Sequence, residues 1–198
     1  SPLMSCSEIF SLGEYQLLDQ NGRSTVTSAV LTESFYPLRQ DFDRLTCGTY
    51  LLNLSEAAAQ PGQEAQDLFL LLVHTLARLT FTTQPWKPLL AGFLVHYAST
   101  LGYKPRLVHC VACGRRLDPG EKMTFDMEAG GVCCKSHEKL HQLPFTQDAR
   151  QWMMDALQTG ASHWVDTPSS PAPFPLLRQY VESRLEGRLR SGAMLPRD

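Results

Sequence analysis

A chain of 198 residues with 43% hydrophobic content has enough apolar material to bury a core. Its formal charge of −2 excludes a global electrostatic pull toward nucleic acid or an anionic membrane, so any such contact must be a local patch. The six cysteines, four of them clustered, together with the lack of a leader pattern or a bilayer-length apolar run, point to a reducing cytoplasmic setting without membrane.

The chain opens at Ser1 without an initiator methionine, which suggests processing or a fragment. Residues 7–30 then read as strands over Ile9–Leu12, Tyr15–Leu18 and Thr25–Val30, with Asn21-Gly22 as a hairpin signal because both residues accept positive φ. A three-stranded meander of this size must lean on helices or belong to a larger barrel. From Thr32-Glu33-Ser34-Phe35 the period becomes helical, with Leu38, Phe42, Leu45, Tyr50, Leu51 and Leu54 recurring until Ser55. A second helix carries Leu68 to Leu79 and, being nearly all apolar, is expected at the centre. A third begins at Gln84-Pro85-Trp86 and ends at Gly102, with Phe93 on its buried face. Three such helices with short links predict an antiparallel bundle.

Next comes the stretch that carries chemistry. Cys110-Val-Ala-Cys113 and Cys133-Cys134-Lys-Ser-His137 are two ligand pairs separated by a strand-length insert, the spacing of a small tetrahedral zinc site. Cys110, Cys113, Cys134 and His137 are the expected ligands, with Cys133 as the register alternative. A closed four-ligand site of this kind folds a loop and leaves no open position for catalysis. The same segment also reads His137-Glu138-Lys139-Leu140-His141, the pattern of a zinc-dependent hydrolase in which the glutamate is general base. That alternative needs a continuous helix, and Pro144 stops the segment almost at once.

Beyond it, Thr146 offers an N-cap to a helix with Ala149, Trp152, Met153 and Ala156 on its apolar face, ending at Gly160. Residues 166–175 read as a proline-rich connector. The last helix, Leu176 to about Arg190, carries Arg178, Arg184, Arg188 and Arg190, which either contact phosphates or form a solvated face with Glu182 and Glu186.

The order of hairpin, Leu-rich helices, Phe93-x7-Leu101-Gly102-Tyr103-x-Pro105-x3-His109-Cys110-x2-Cys113-Gly114, Gly130-Gly131-x2-Cys134-x2-His137 and a terminal Leu-Arg-Ser191 helix resembles the RecO family of bacterial recombination proteins. The likeness covers essentially the whole chain and is most specific over residues 93–137. In that family a cysteine follows the double glycine by two residues, which selects Cys134 over Cys133. The fourth family ligand is usually cysteine, where this chain has His137.

The resemblance implies a fold that is mainly α with a small β part: a helical bundle with an inserted zinc-finger-like loop and an N-terminal remnant of an OB-type β-barrel. The implied divisions are 1–30 (partial barrel, which the chain would enter midway), 31–105 (helical), 106–145 (zinc-binding loop) and 146–198 (C-terminal helices). It implies a non-enzymatic mediator of DNA repair. Such a protein binds and anneals single- and double-stranded DNA, and with RecR helps load RecA onto DNA covered by single-stranded DNA-binding protein. Arg23, Arg184, Arg188 and Arg190 are the DNA-contact candidates. The acidic C-terminal tail of single-stranded DNA-binding protein is expected on helix 86–101, with Phe93 in an apolar groove and Arg78, Lys87, Lys104 and Arg106 on its rim.

Overall fold

The computed structural model describes residues 4, 6–60, 62, 64–159, 172–185 and 195–196. It is mainly helical, with two small sheets. Strands β1 (Leu12–Gln20) and β2 (Arg23–Glu33) form an antiparallel hairpin whose two-residue turn places Asn21 at φ 51° and Gly22 at φ 74°. Both turn residues are left-handed, the geometry that matches strand twist in a tight hairpin. The expected third strand over Ile9–Leu12 does not form: Phe10 sits at φ 67° and turns the chain, so Leu12 opens β1 instead. Among the described residues these strands pair only with each other, and most of the hairpin is exposed. At its base the Tyr15 hydroxyl donates to the Cys6 carbonyl at 2.7 Å.

The first helix also begins later than the periodicity predicts. β2 extends to Glu33, a 3-10 turn over Tyr36–Arg39 contains Pro37, and α1 (Phe42–Ala58) starts only after Asp41, whose carboxylate accepts from the Arg44 amide at 2.9 Å. Helices α2 (Gln66–Phe81) and α3 (Trp86–Thr100) follow. Arg44, near the start of α1, donates to the carbonyls of Leu79, Thr80 and Thr82 at the end of α2, so the two run antiparallel. Late in α3, the Tyr97 hydroxyl donates to the Leu54 carbonyl of α1 at 2.6 Å, which sets α3 parallel to α1.

The helix at the centre is α3, not α2. Residues 89–98 of α3 are all buried, whereas α2 leaves Phe69 and Leu70 in solvent. A helix covered on every side, Ala91 and Gly92 included, shows no apolar stripe. Hence composition alone pointed to the wrong helix.

A second sheet, in the order β4-β3-β5, follows the bundle: β3 (Met123–Asp126), β4 (Gly131–Cys134) and β5 (Leu143–Phe145), all antiparallel. Helix α4 (Gln147–Gln158) starts at the expected cap, with Thr146 accepting from the Ala149 amide at 3.1 Å. Helix α5 (Phe174–Arg184) packs on α3 through Trp86 and Phe174, whose rings meet edge-on at 5.3 Å. Most of the proline-rich connector, together with Arg188 and Arg190, lies outside the described residues.

Candidate metal centre

The Cys110–Gly114 segment forms a tight turn held by main-chain bonds. The Cys110 amide donates to the Arg115 carbonyl at 2.8 Å, and the Gly114 amide donates back to the Cys110 carbonyl at 2.9 Å. Strand β4 runs beside this turn, with the Val111 amide donating to the Val132 carbonyl at 2.9 Å. Such close passage requires small residues. A side chain at Gly131 would strike the Arg106 carbonyl, and one at Gly130, which is at φ 70°, would come within 2.5 Å of the Tyr180 hydroxyl.

Successive strand residues face opposite sides, so only one of Cys133 and Cys134 can face the turn. It is Cys134. Its sulfur lies 4.0 Å from Cys113 Sγ and its amide 3.4 Å from Cys110 Sγ. A 3-10 turn over Lys135–His137 then folds the imidazole back, placing Nδ1 3.2 Å from Cys134 Sγ. The four ligand atoms of Cys110, Cys113, Cys134 and His137 all fall within 4.8 Å of one another. A tetrahedral zinc with sulfur at about 2.3 Å spaces its ligands by about 3.8 Å, so the cluster has the size the ion needs. Three sulfurs and one imidazole suit zinc, and four protein ligands leave no position for a reacting water.

Cys133 lies outside this four-ligand cluster, although its thiol comes close to that of Cys110. It is buried and accepts from Gln142 Nε2 at 3.3 Å, and burial pushes its thiol above the usual value. Gln142 in turn donates to Asp126 at 2.9 Å and accepts from the Thr124 hydroxyl at 2.7 Å, so this polar cluster behind β4 is satisfied without metal.

Two of the three sulfurs on the metal side are prepared for charge. Burial opposes ionisation of Cys110, yet the amides of Cys134, Cys113 and Ala112 reach its sulfur and hold the thiol below its ordinary value. Cys134 is likewise lowered against burial, by hydrogen bonds from Cys110, Arg115 and Cys113. Cys113 benefits from the Arg115 amide, but burial and the neighbouring sulfurs of Cys110 and Cys134 leave it raised overall. Zinc with three thiolates carries one net negative charge. The Arg115 guanidinium, held by Glu121 at 2.8 and 3.0 Å, reaches Cys134 and offsets it.

Residues 39–193 match the family described as "Recombination protein O C terminal". The chain belongs to the RecO family. The DNA repair protein RecO of Desulfitobacterium hafniense (strain DSM 10664 / DCB-2) is 30% identical over 188 residues, covering 93% of this chain and 60% of the relative. That of Desulforamulus reducens is 28% identical, covering 95% of this chain and 75% of the relative, and that of Gloeobacter violaceus is 31% identical, covering 96% and 74%. This RecO-family chain thus spans about 60% of the length of its Desulfitobacterium relative.

The hydrolase pattern has no helix beneath it. Glu138 follows the 3-10 turn in an extended conformation, φ −64° and ψ 133°, so His137 and His141 are not one helical turn apart.

The other sequence candidates are scattered. Arg23 is exposed at the hairpin tip. Arg184 is turned inward: it donates to the carbonyls of Met127 and Glu128 at 2.7 and 2.6 Å, with its guanidinium over the rings of Tyr180 and Tyr103. Phe93 is fully buried and stacks on Tyr97 at 5.5 Å, so α3 presents no open groove around it. Lys104 and Arg106 are exposed beyond the end of α3, Arg106 donating to the Ala129 carbonyl at 2.9 Å, while Arg78 is half-buried in α2. Lys87 borders a larger concave surface. With Trp86, Phe174, Arg178 and Leu195 it lines a cavity of about 770 Å³.

Arg150 was not singled out by the sequence. It is buried in α4, donating to the carbonyls of Leu107 and Leu117 at 2.7 and 3.1 Å, and so fastens both flanks of the Cys110–Cys113 turn to the helix. Its one sequence signal is a charged residue beside the apolar positions Ala149, Trp152 and Met153.

Proposed function

We propose that this chain is the zinc-stapled helical part of a recombination mediator in DNA repair. In this reading it binds and anneals single- and double-stranded DNA, and with RecR helps load RecA onto DNA coated with single-stranded DNA-binding protein. The observation that carries the reading is the family match over residues 39–193 enclosing an assembled Cys3His cluster. Zinc is structural here: it pins the loop of residues 106–145 and performs no reaction, and the protein is not an enzyme. The β1–β2 hairpin belongs to an OB-type barrel and meets single strands, with Arg23 at its tip.

The acidic tail of single-stranded DNA-binding protein docks beside Lys87 and Arg178, in the cavity walled by Trp86 and Phe174, instead of around Phe93. No described helix is long and apolar enough to cross a membrane, and the protein acts in the cytoplasm on nucleoid DNA. The test is annealing of complementary oligonucleotides coated with single-stranded DNA-binding protein, followed by fluorescence with the zinc-loaded protein. The reading expects acceleration that falls with salt and is weakened by Lys87→Glu. Annealing no faster than spontaneous pairing would overturn it.

A further inference from the structure

Of the six cysteines, Cys113 alone is exposed; Cys6, Cys47, Cys110, Cys133 and Cys134 are all buried. Cys113 sits on the outer side of the metal cluster, and its sulfur is 4.0 Å from that of buried Cys134. An accessible sulfur with a second sulfur directly behind it is the arrangement of an attacking and a resolving thiol.

We propose that the Cys113–Cys134 pair is an oxidation site for hydroperoxides, at which disulfide formation expels the metal and loosens the loop. The proposal rests on the reading that the cluster holds zinc. In the first step the Cys113 thiolate attacks the O–O bond of the hydroperoxide. A sulfur–oxygen bond forms, the O–O bond breaks, and the leaving oxygen takes a proton to become an alcohol, or water if the oxidant is hydrogen peroxide. Cys113 is now a sulfenic acid, oxidised by two electrons and a poor zinc ligand.

In the second step Cys134 Sγ attacks the Cys113 sulfur. The sulfur–sulfur bond forms, the sulfur–oxygen bond breaks, and hydroxide leaves as water after gaining a proton. Two thiolates, one hydroperoxide and two protons thus give a disulfide, an alcohol or water, and a further water. A disulfide needs its sulfurs at about 2.05 Å, so the pair must close by about 2 Å. Ala112, Cys113 and Gly114, the exposed tip of the turn, would supply that movement, whereas β4 is held between β3 and Arg106. Cys110 and His137 alone cannot retain zinc.

Cys133, the neighbour of Cys134 along the strand, lies outside the four-ligand cluster and accepts from Gln142. The 4.0 Å approach of the two sulfurs makes Cys113–Cys134 the disulfide proposed, with Cys110, whose thiol also contacts Cys113, as the competing partner.

The experiment uses the purified full chain, with zinc content measured first. Hydrogen peroxide is added below stoichiometry, zinc release is followed with a chromogenic chelator, and remaining thiols are alkylated before peptide mapping. The expected result is one zinc released per disulfide, a Cys113–Cys134 cross-link, Cys6, Cys47 and Cys133 still as thiols, and zinc uptake again after a dithiol reductant. Cys133→Ala should release zinc at the unaltered rate. A cross-link through Cys110 or Cys133, or a Cys113 that over-oxidises without pairing, overturns the proposal while leaving zinc binding intact. A protein that holds no zinc overturns both.

Discussion

The Arg184 guanidinium at the end of α5 donates to the Met127 carbonyl in the β3–β4 turn at 2.7 Å, joining positions 57 residues apart. A second bond to the Glu128 carbonyl and the flanking rings of Tyr103 and Tyr180 fix it there. Hydrogen bonds from a charged donor contribute about 1.5–3 kcal/mol. Arg184→Ala should therefore lower the urea unfolding free energy by about that amount, and Arg184→Lys should recover little of it because an ammonium lacks the planar fork. An unchanged unfolding midpoint would assign Arg184 to the surface after all.

The glycine pair before the metal strand should be intolerant of any side chain, and unequally so. Gly130→Ala meets a positive φ and the Tyr180 hydroxyl, which can swing away, so a cost of about 1–3 kcal/mol is expected. Gly131→Ala meets the Arg106 main chain, which cannot move without breaking the pairing that supports the turn. Denaturant titration of the two variants should rank Gly131→Ala as the more damaging.

Zinc content separates the adjacent cysteines. Elemental analysis of the purified protein should find about one zinc per chain. Cys134→Ser should abolish it, whereas Cys133→Ser and Glu138→Gln should retain it. Zinc that disappears with Cys133 and survives loss of Cys134 would put Cys133, not Cys134, on the metal side of β4.

A separate signal is expected at alkaline pH. Burial, with Asp43 and Asp41 adding repulsion, pushes the Cys47 thiol from 9.0 up to about 12. Between those values the unfolded chain has lost the Cys47 proton and the folded chain keeps it. Stability from this group is thus fully present below pH 9 and lost as pH rises toward 12. Cys47→Ala should flatten the stability profile in that window by up to one proton, read from urea midpoints at stepped pH.

What could be read in advance was whatever is encoded within a few residues. The Asn21-Gly22 turn, the Thr146 cap and the pairing of Cys110-x2-Cys113 with Cys134-x2-His137 depend on local spacing, and the structure brings each together. Arg184 and Arg150 were illegible for the opposite reason. Their acceptors are carbonyls that lie 33 to 57 residues away, and nothing in a helical repeat marks such an arginine as turned inward. The start of α1 was misplaced because Leu38 and Phe42 share a helical spacing across a chain break that Pro37 and Asp41 impose. The centrality of α3 was hidden by its burial on all sides.

Helix α5 touches both halves of the molecule within eleven residues. On the bundle side Glu182 accepts from the Tyr50 hydroxyl at 3.1 Å and Phe174 meets Trp86; on the loop side Tyr180 donates to the Tyr103 carbonyl at 2.8 Å and its ring abuts Phe125 at 5.4 Å. A crossbar of this kind denies the metal loop a private melting transition. Heating should give a single calorimetric peak, and stripping the ion should drag that whole peak to lower temperature instead of splitting off a shoulder.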